Sequence, residues 1–245
     1  MAKIKNVSFP GMTGYIQVVS HPDDKKVPMP GRYQRGQFQG RQVERFELHS
    51  GDHWQGDKSS DARNHRERVE FRDETMVEVS RRAGWFRQSW DILISSAEYT
   101  EMSPKQTHGQ VFDEKNRYPI LFMRRENGVQ EILVNSKIEG GPQGVRLPVP
   151  FDLDAWNWYA LDVLPRPGEN AASFRLSHNS RLVAEMTNIS LIEDNADYLY
   201  WKHGLYRSDM DQWEEANPGV AAPTLAAYYS RVSRTPLYER GSGSQ

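Results

Sequence analysis

The sequence predicts an all-β fold, a two-sheet sandwich or jelly roll, and three observations predict it. Short segments with period-two alternation recur from residue 43 onward, the signature of half-buried strands. Turn signals such as Glu126-Asn127-Gly128 and Pro167-Gly168-Glu169 separate them. No long stretch carries the 3.6-residue period of an amphipathic helix. A chain of 245 residues suits one large β domain, and no composition shift or linker divides it.

The elements follow in order. Residues 1–40 are rich in Gly, Pro and Gln, with PMPGRY and RGQFQG as turn punctuation; they read as an N-terminal arm packing on the sandwich, with an edge strand near Tyr15–Val19. The sandwich proper spans 41–236. Its expected strands are 43–49, 66–72, 90–97, 107–112, 119–125, 131–136, 156–164, 173–177, 181–187, 198–208 and 224–234. The Gly-Ser-rich segment 237–245 reads as a flexible tail.

Composition narrows the function. Hydrophobic residues make up 37% and charged residues 26%, so a packed core is expected rather than a disordered chain. Seven Trp and 11 Tyr supply core rings and leave others to stack on sugar faces. A net charge of −2 gives no global field toward nucleic acid, and an acidic ligand would need only a local basic groove. The absence of Cys excludes disulfides, thiolate metal sites and Cys nucleophiles. No apolar run approaches membrane-spanning length, and no secretory h-region follows Met1.

Three segments place unusual polar residues together. In RERVEFR (66–72), alternation puts Arg66, Arg68, Glu70 and Arg72 on one face, with Val69 and Phe71 toward the core. Such a face is either a solvated ion-pair surface or a carboxylate-binding groove, where Arg provides a bidentate fork. In KQTHGQVF (105–112), Gln106, His108 and Gln110 are expected on one face; His suits proton transfer near neutral pH, and Gln offers neutral donors. In YLYWKHGLYRS (198–208), Tyr198, Tyr200, Lys202 and Tyr206 fall together, and Gly204 would leave room for a ligand.

In that chain order the three segments resemble the Arg-x-Glu, Gln-x-His and Tyr-x-Lys-x-Gly-x-Tyr strands of jelly-roll alginate lyases. Here they read Arg68-Val69-Glu70-Phe71, Gln106-Thr107-His108 and Tyr200-Trp201-Lys202-His203-Gly204-Leu205-Tyr206. The Lys-x-x-x-Tyr spacing, the His and the opening Arg45-Phe46-Glu47-Leu48-His49-Ser50-Gly51-Asp52 are also similar to the heparin lyase I and glucuronan lyase families. Val69 and Phe71 replace the usual small polar residue and Leu, and His203 stands where a small residue is common.

The resemblance, over roughly residues 43–235, implies a concanavalin-like jelly roll and a lyase that cleaves a uronic-acid polysaccharide by β-elimination. It implies His108 as base and Tyr206 as acid, with the reverse assignment open, and with Tyr206 as both base and acid where the C5 proton and the leaving group lie on the same side. Arg68 and Gln106 would neutralise the carboxylate, and Lys202 would hold substrate or lower the Tyr206 pKa. Arg66, Glu70, Arg72, Gln110, Tyr198 and Tyr200 would bind substrate. No cofactor is required. A calcium ion, if present, would be structural, with Asp23, Asp24, Asp52, Asp57 and the 193–197 turn as oxygen donors. The expected partner is an acidic polysaccharide, with neither nucleic acid nor membrane involved, and the expected state is a monomer. The substrate class points to a secreted or periplasmic protein. The rival readings are a non-catalytic carbohydrate-binding or lectin-like sandwich, a glycoside hydrolase and a capsule depolymerase. The paired-carboxylate strand Glu-x-Asp-x-x-Glu of sandwich glucanases is absent.

Overall fold

The computed structural model describes residues 2–55, 60–97, 99, 104–115 and 118–237. The expected tail beyond 237 and the candidate ligand Asp57 lie outside them. In chain order the strands begin with β1 (Lys3–Phe9), β2 (Met12–Gln17), β3 (Ser20–His21), β4 (Asp24–Pro28), β5 (Tyr33–Phe38) and β6 (Arg41–Leu48). They continue with β7 (Glu67–Asp73), β8 (Val77–Glu78), β9 (Trp85–Leu93), β10 (Gln106–Asp113), β11 (Tyr118–Glu126) and β12 (Val129–Val134). The last are β13 (Val145–Pro148), β14 (Asn157–Leu164), β15 (Ala172–His178), β16 (Arg181–Ile189), β17 (Tyr198–Arg207) and β18 (Leu225–Leu237). A short helix, α1 (Met210–Ala216), follows β17.

Two antiparallel sheets face each other. One runs β1-β2-β7-β17-β10-β11-β12-β13, with β8 also pairing β17; the other runs β16-β15-β14-β9-β18-β6-β5. Alternation along each strand sends one set of side chains between the sheets. On β17 the inward set is Leu199, Trp201, His203, Leu205 and Arg207, all buried. Trp201 meets Trp90 of the second sheet at 4.9 Å between ring centroids. Phe46 and Tyr229 meet at 5.4 Å, edge to face, and Phe71 packs on His203. Each large ring or aliphatic chain buried in this way contributes about 1.5–3 kcal/mol of transfer free energy.

The first forty residues are more than an arm. β1 and β2 form the edge of the first sheet through β2–β7 pairing, and β5 forms the edge of the second by pairing with β6. The indole of Trp54 donates to the Ala2 carbonyl at 3.3 Å, and Arg234 of β18 holds Asp73 and the Gly11 carbonyl, so this segment is fixed at both ends. Among the described residues no helix is long and apolar enough to cross a membrane.

Candidate active site

The outward face of the first sheet is a groove of about 680 Å³. β17 and β7 run in unbroken register beneath it: Tyr206 opposes Arg68, Gly204 opposes Glu70 and Lys202 opposes Arg72. On the other flank of β17, Tyr206 opposes Thr107, Lys202 opposes Gln110 and Tyr200 opposes Phe112. Alternation therefore brings Tyr200, Lys202 and Tyr206 to the groove together with Arg66, Arg68, Arg72 and Gln110, as their spacing predicts.

Glu70 is the hub of the floor. Its buried carboxylate accepts from Lys202 Nζ at 3.0 Å, from the Gln110 amide, and from Arg68 Nη1 at 3.5 Å. Arg68 is also held by a bidentate bridge to buried Asp61, at 2.7 Å from Nε and 2.6 Å from Nη2. Its guanidinium lies 5.0 Å from the Tyr206 ring centroid and 5.5 Å from that of Trp54. Burial in this site pushes the Lys202 pKa down to about 8, partly offset by Glu70. Burial pushes Tyr206 up to about 12, against the opposing pull of Arg68 and Arg66. Tyr200 also rises to about 12 through burial, with Arg72 stacked 4.6 Å from its ring centroid.

Three expected site residues are elsewhere. Gln106 and His108 share a face with each other but not with Gln110, because β10 carries a bulge. His108 and Gly109 together oppose the single residue Met123 of β11, which shifts the alternation by one. Thr107 and Gln110 consequently reach the groove, while Gln106, opposite Arg207, turns inward. The His108 ring stacks on Phe151, is 2% exposed, and has its pKa pulled down to about 3 by burial and by Arg125. Both its ring nitrogens, and both polar atoms of the Gln106 amide, find no partner among the described residues. Tyr198 is 46% exposed and pairs with Glu78 beyond the end of the groove.

Gly204 also has a different purpose from the one expected. With φ at +128°, a Cβ there would lie 2.5 Å from the Val69 carbonyl oxygen and 2.9 Å from Phe46. The glycine serves close packing against β7 rather than ligand approach.

Lys3, Tyr15, Gln17, Trp54, Lys105, Phe122 and Leu133 also line the groove, although no pattern in the sequence marks them for it; Arg124, which with Arg125 would suit a polyanion by sequence, lines it too. Asp61, which fixes Arg68, lies beside a short 3-10 turn that no pattern marks either. No three His, Asp or Glu side chains converge as a metal site among the described residues. Asp52, one of the candidate calcium donors, accepts from Arg32 at 2.6 Å and from the His49 amide at 2.9 Å.

No protein-family model matches this sequence, and no curated protein matches it significantly. Solved structures do share its fold. An endo-β-1,4-glucuronan lyase from the fungus Trichoderma reesei superposes with a TM-score of 0.59 at 11% identity, covering 91% of this chain and 94% of that one. The family 7 alginate lyase AlyA1 from Zobellia galactanivorans gives 0.57 at 12% identity over 96% and 95% of the two chains. An alginate lyase from Corynebacterium sp. gives 0.58 at 12% identity over 95% and 92%. The chain thus has the jelly-roll fold of these polysaccharide lyases over nearly its whole length.

Proposed function

We propose that the protein is a polysaccharide lyase that cleaves a uronic-acid-containing glycan by β-elimination, leaving a 4,5-unsaturated uronate at the new end. The observation that carries this reading is Tyr206 standing in an open, cation-lined groove beside Arg68, on the same fold as glucuronan and alginate lyases.

Elimination removes the C5 proton, turns that electron pair into the C4=C5 double bond and breaks the C4–O4 bond, whose oxygen takes a proton. The C5 proton is only weakly acidic while the neighbouring carboxylate keeps its charge, so the site must stabilise an enolate-like intermediate. Lys202, Gln110 and Arg68, each in contact with Glu70, line the part of the groove where that carboxylate would rest. Tyr206 performs both proton transfers: its phenolate takes the C5 proton, and the phenol so formed returns it to O4 on the same side of the sugar. The proton lost from C5 ends on O4 and Tyr206 is regenerated. His108, sealed between the sheets, takes no part. Paired-carboxylate hydrolysis is poorly served, since Asp61 and Glu70 are both held by cations.

A polymeric acidic substrate also fits a protein acting outside the cell, as a monomer, and needing no cofactor. The test is an ultraviolet assay for the unsaturated product on glucuronan, alginate, heparin, heparan sulfate, hyaluronan and chondroitin. Turnover on one member with a fall of about 10²–10⁴-fold in Tyr206→Phe is the expected result. Near-normal turnover in that folded variant removes Tyr206 from the mechanism. Binding without turnover on every polymer favours the lectin-like reading.

A further inference from the structure

The groove is charged on one side only. Toward β1, β2 and β7 it is lined by Lys3, Arg66 and Arg72, none of which forms an ion pair among the described residues. Lys3 lies 4.1 Å from the Tyr15 ring centroid, and Arg72 stacks on Tyr200. Toward β10, β11 and β12 the cations are already neutralised. Arg124 is bound to Glu131 at 2.6 Å and to Glu126 at 3.1 Å, and Lys105 to Asp209 at 2.6 Å. Beside Thr107, Tyr118 and Ser208, that half presents the half-buried apolar surface of Phe112, Pro119, Phe122 and Leu133.

Register puts both halves on one line. Tyr15, Arg72, Lys202, Gln110, Phe122 and Leu133 oppose one another in turn from β2 to β12. With neighbouring strands about 4.8 Å apart, that line is roughly 24 Å long, enough for several sugar units. A glycan lying across the strands therefore passes from unpaired cations to a phenyl ring and an isobutyl group. A bare carboxylate against Phe122 and Leu133 would lose hydration with nothing to replace it. A methyl-bearing substituent there would gain by burial.

We propose that the substrate is a glycan of mixed character. Uronate units engage the Arg72 side, and a unit carrying an O-acetyl or deoxy-methyl group sets that group over Phe122 and Leu133. This rests on the lyase reading of the same groove.

The experiment uses polyglucuronate and the same polymer partly O-acetylated, with wild type, Phe122→Arg and Leu133→Lys. Wild type should show kcat/KM about tenfold higher on the acetylated polymer, the value of one or two buried methyl groups. Either variant should abolish or reverse that preference. Equal or better cleavage of the bare polymer by wild type, with the ratio unmoved in both variants, overturns the proposal and leaves the lyase reading standing. If neither polymer yields unsaturated product, the other polymers of the panel decide the lyase reading, and calorimetric Kd values for these two polymers decide the proposal alone. Tighter binding of the acetylated polymer, lost in the variants, upholds it; equal binding or none overturns it.

Discussion

Lys202 and His108 are both buried bases, yet their surroundings commit them to different tasks. Lys202 has a partner in Glu70 and opens on the groove, so its ammonium is available to a substrate carboxylate until about pH 8. With Tyr206 near 12 acting as phenolate, kcat/KM should climb about tenfold per pH unit below pH 8, as the phenolate fraction grows. It should then level off, because each further gain in phenolate is matched by loss of the Lys202 charge. In Lys202→Arg the climb should continue past pH 8; a pH–rate profile of the two proteins checks this. The His108 ring has no hydrogen-bond partner among the described residues, and its cost appears in stability. Its folded pKa of about 3 lies below the ordinary 6.5, so below pH 6.5 only the unfolded chain takes up the proton. The stabilising contribution is complete above pH 6.5 and is lost toward pH 3, by about 1.4 kcal/mol per unit. His108→Leu should remove this acid sensitivity, relieve an unsatisfied polar group costing about 1–3 kcal/mol, and leave turnover near wild type. Denaturant unfolding at pH 4 and 7, with the lyase assay, checks both; collapse of activity in a folded His108→Leu would return the residue to the chemistry.

At the scale of the element, β17 carries the site because its alternation is unbroken against β7, and Gly204 is what lets the two backbones approach. Gly204→Ala would combine a disfavoured backbone conformation with a clash against Val69 and Phe46, a loss of about 2–4 kcal/mol, visible as a lowered denaturant midpoint. The period-two pattern makes β7, β17 and the faces of Arg68, Lys202 and Tyr206 legible from the order of residues alone. It fails at β10, where the motif Gln106-Thr107-His108 has the right letters but the bulge at His108–Gly109 exchanges the faces. A bulge leaves no mark in an alternation count, except the glycine that makes room for Trp201, whose ring lies 2.6 Å from where a Gly109 Cβ would stand. β1 and β5 are hidden for another reason: they are edge strands, β1 with a register break between Ile4 and Val7 that interrupts its period, and β5 with Gln on both faces and a Gly between. Helix α1, with seven residues, is too short to show one.

Across the whole molecule, the N-terminal strands complete the groove as well as the sheet. Removing residues 2–9 would withdraw Lys3, bare the edge of β2 and take from the core Val7 and the partly buried Ile4 and Phe9. It would also free the Trp54 indole from the Ala2 carbonyl. Loss of about 3–4 kcal/mol of burial should lower the Tm by on the order of 10 °C, measured by scanning calorimetry. Affinity for an acidic glycan should fall with it.

β17 enters the sheet between β7 and β10, strands that lie far earlier in the chain. During synthesis, a nascent chain that has reached residue 190 carries two open strand edges where the floor of the groove will later lie. Contacts of such long sequence separation form slowly, and bare edges invite pairing with other chains. The groove is then an all-or-nothing product of the finished polypeptide, so a ribosome-stalled or truncated chain would be both inert and prone to aggregate. Turnover of the glycan would serve as a clock for the last step of folding.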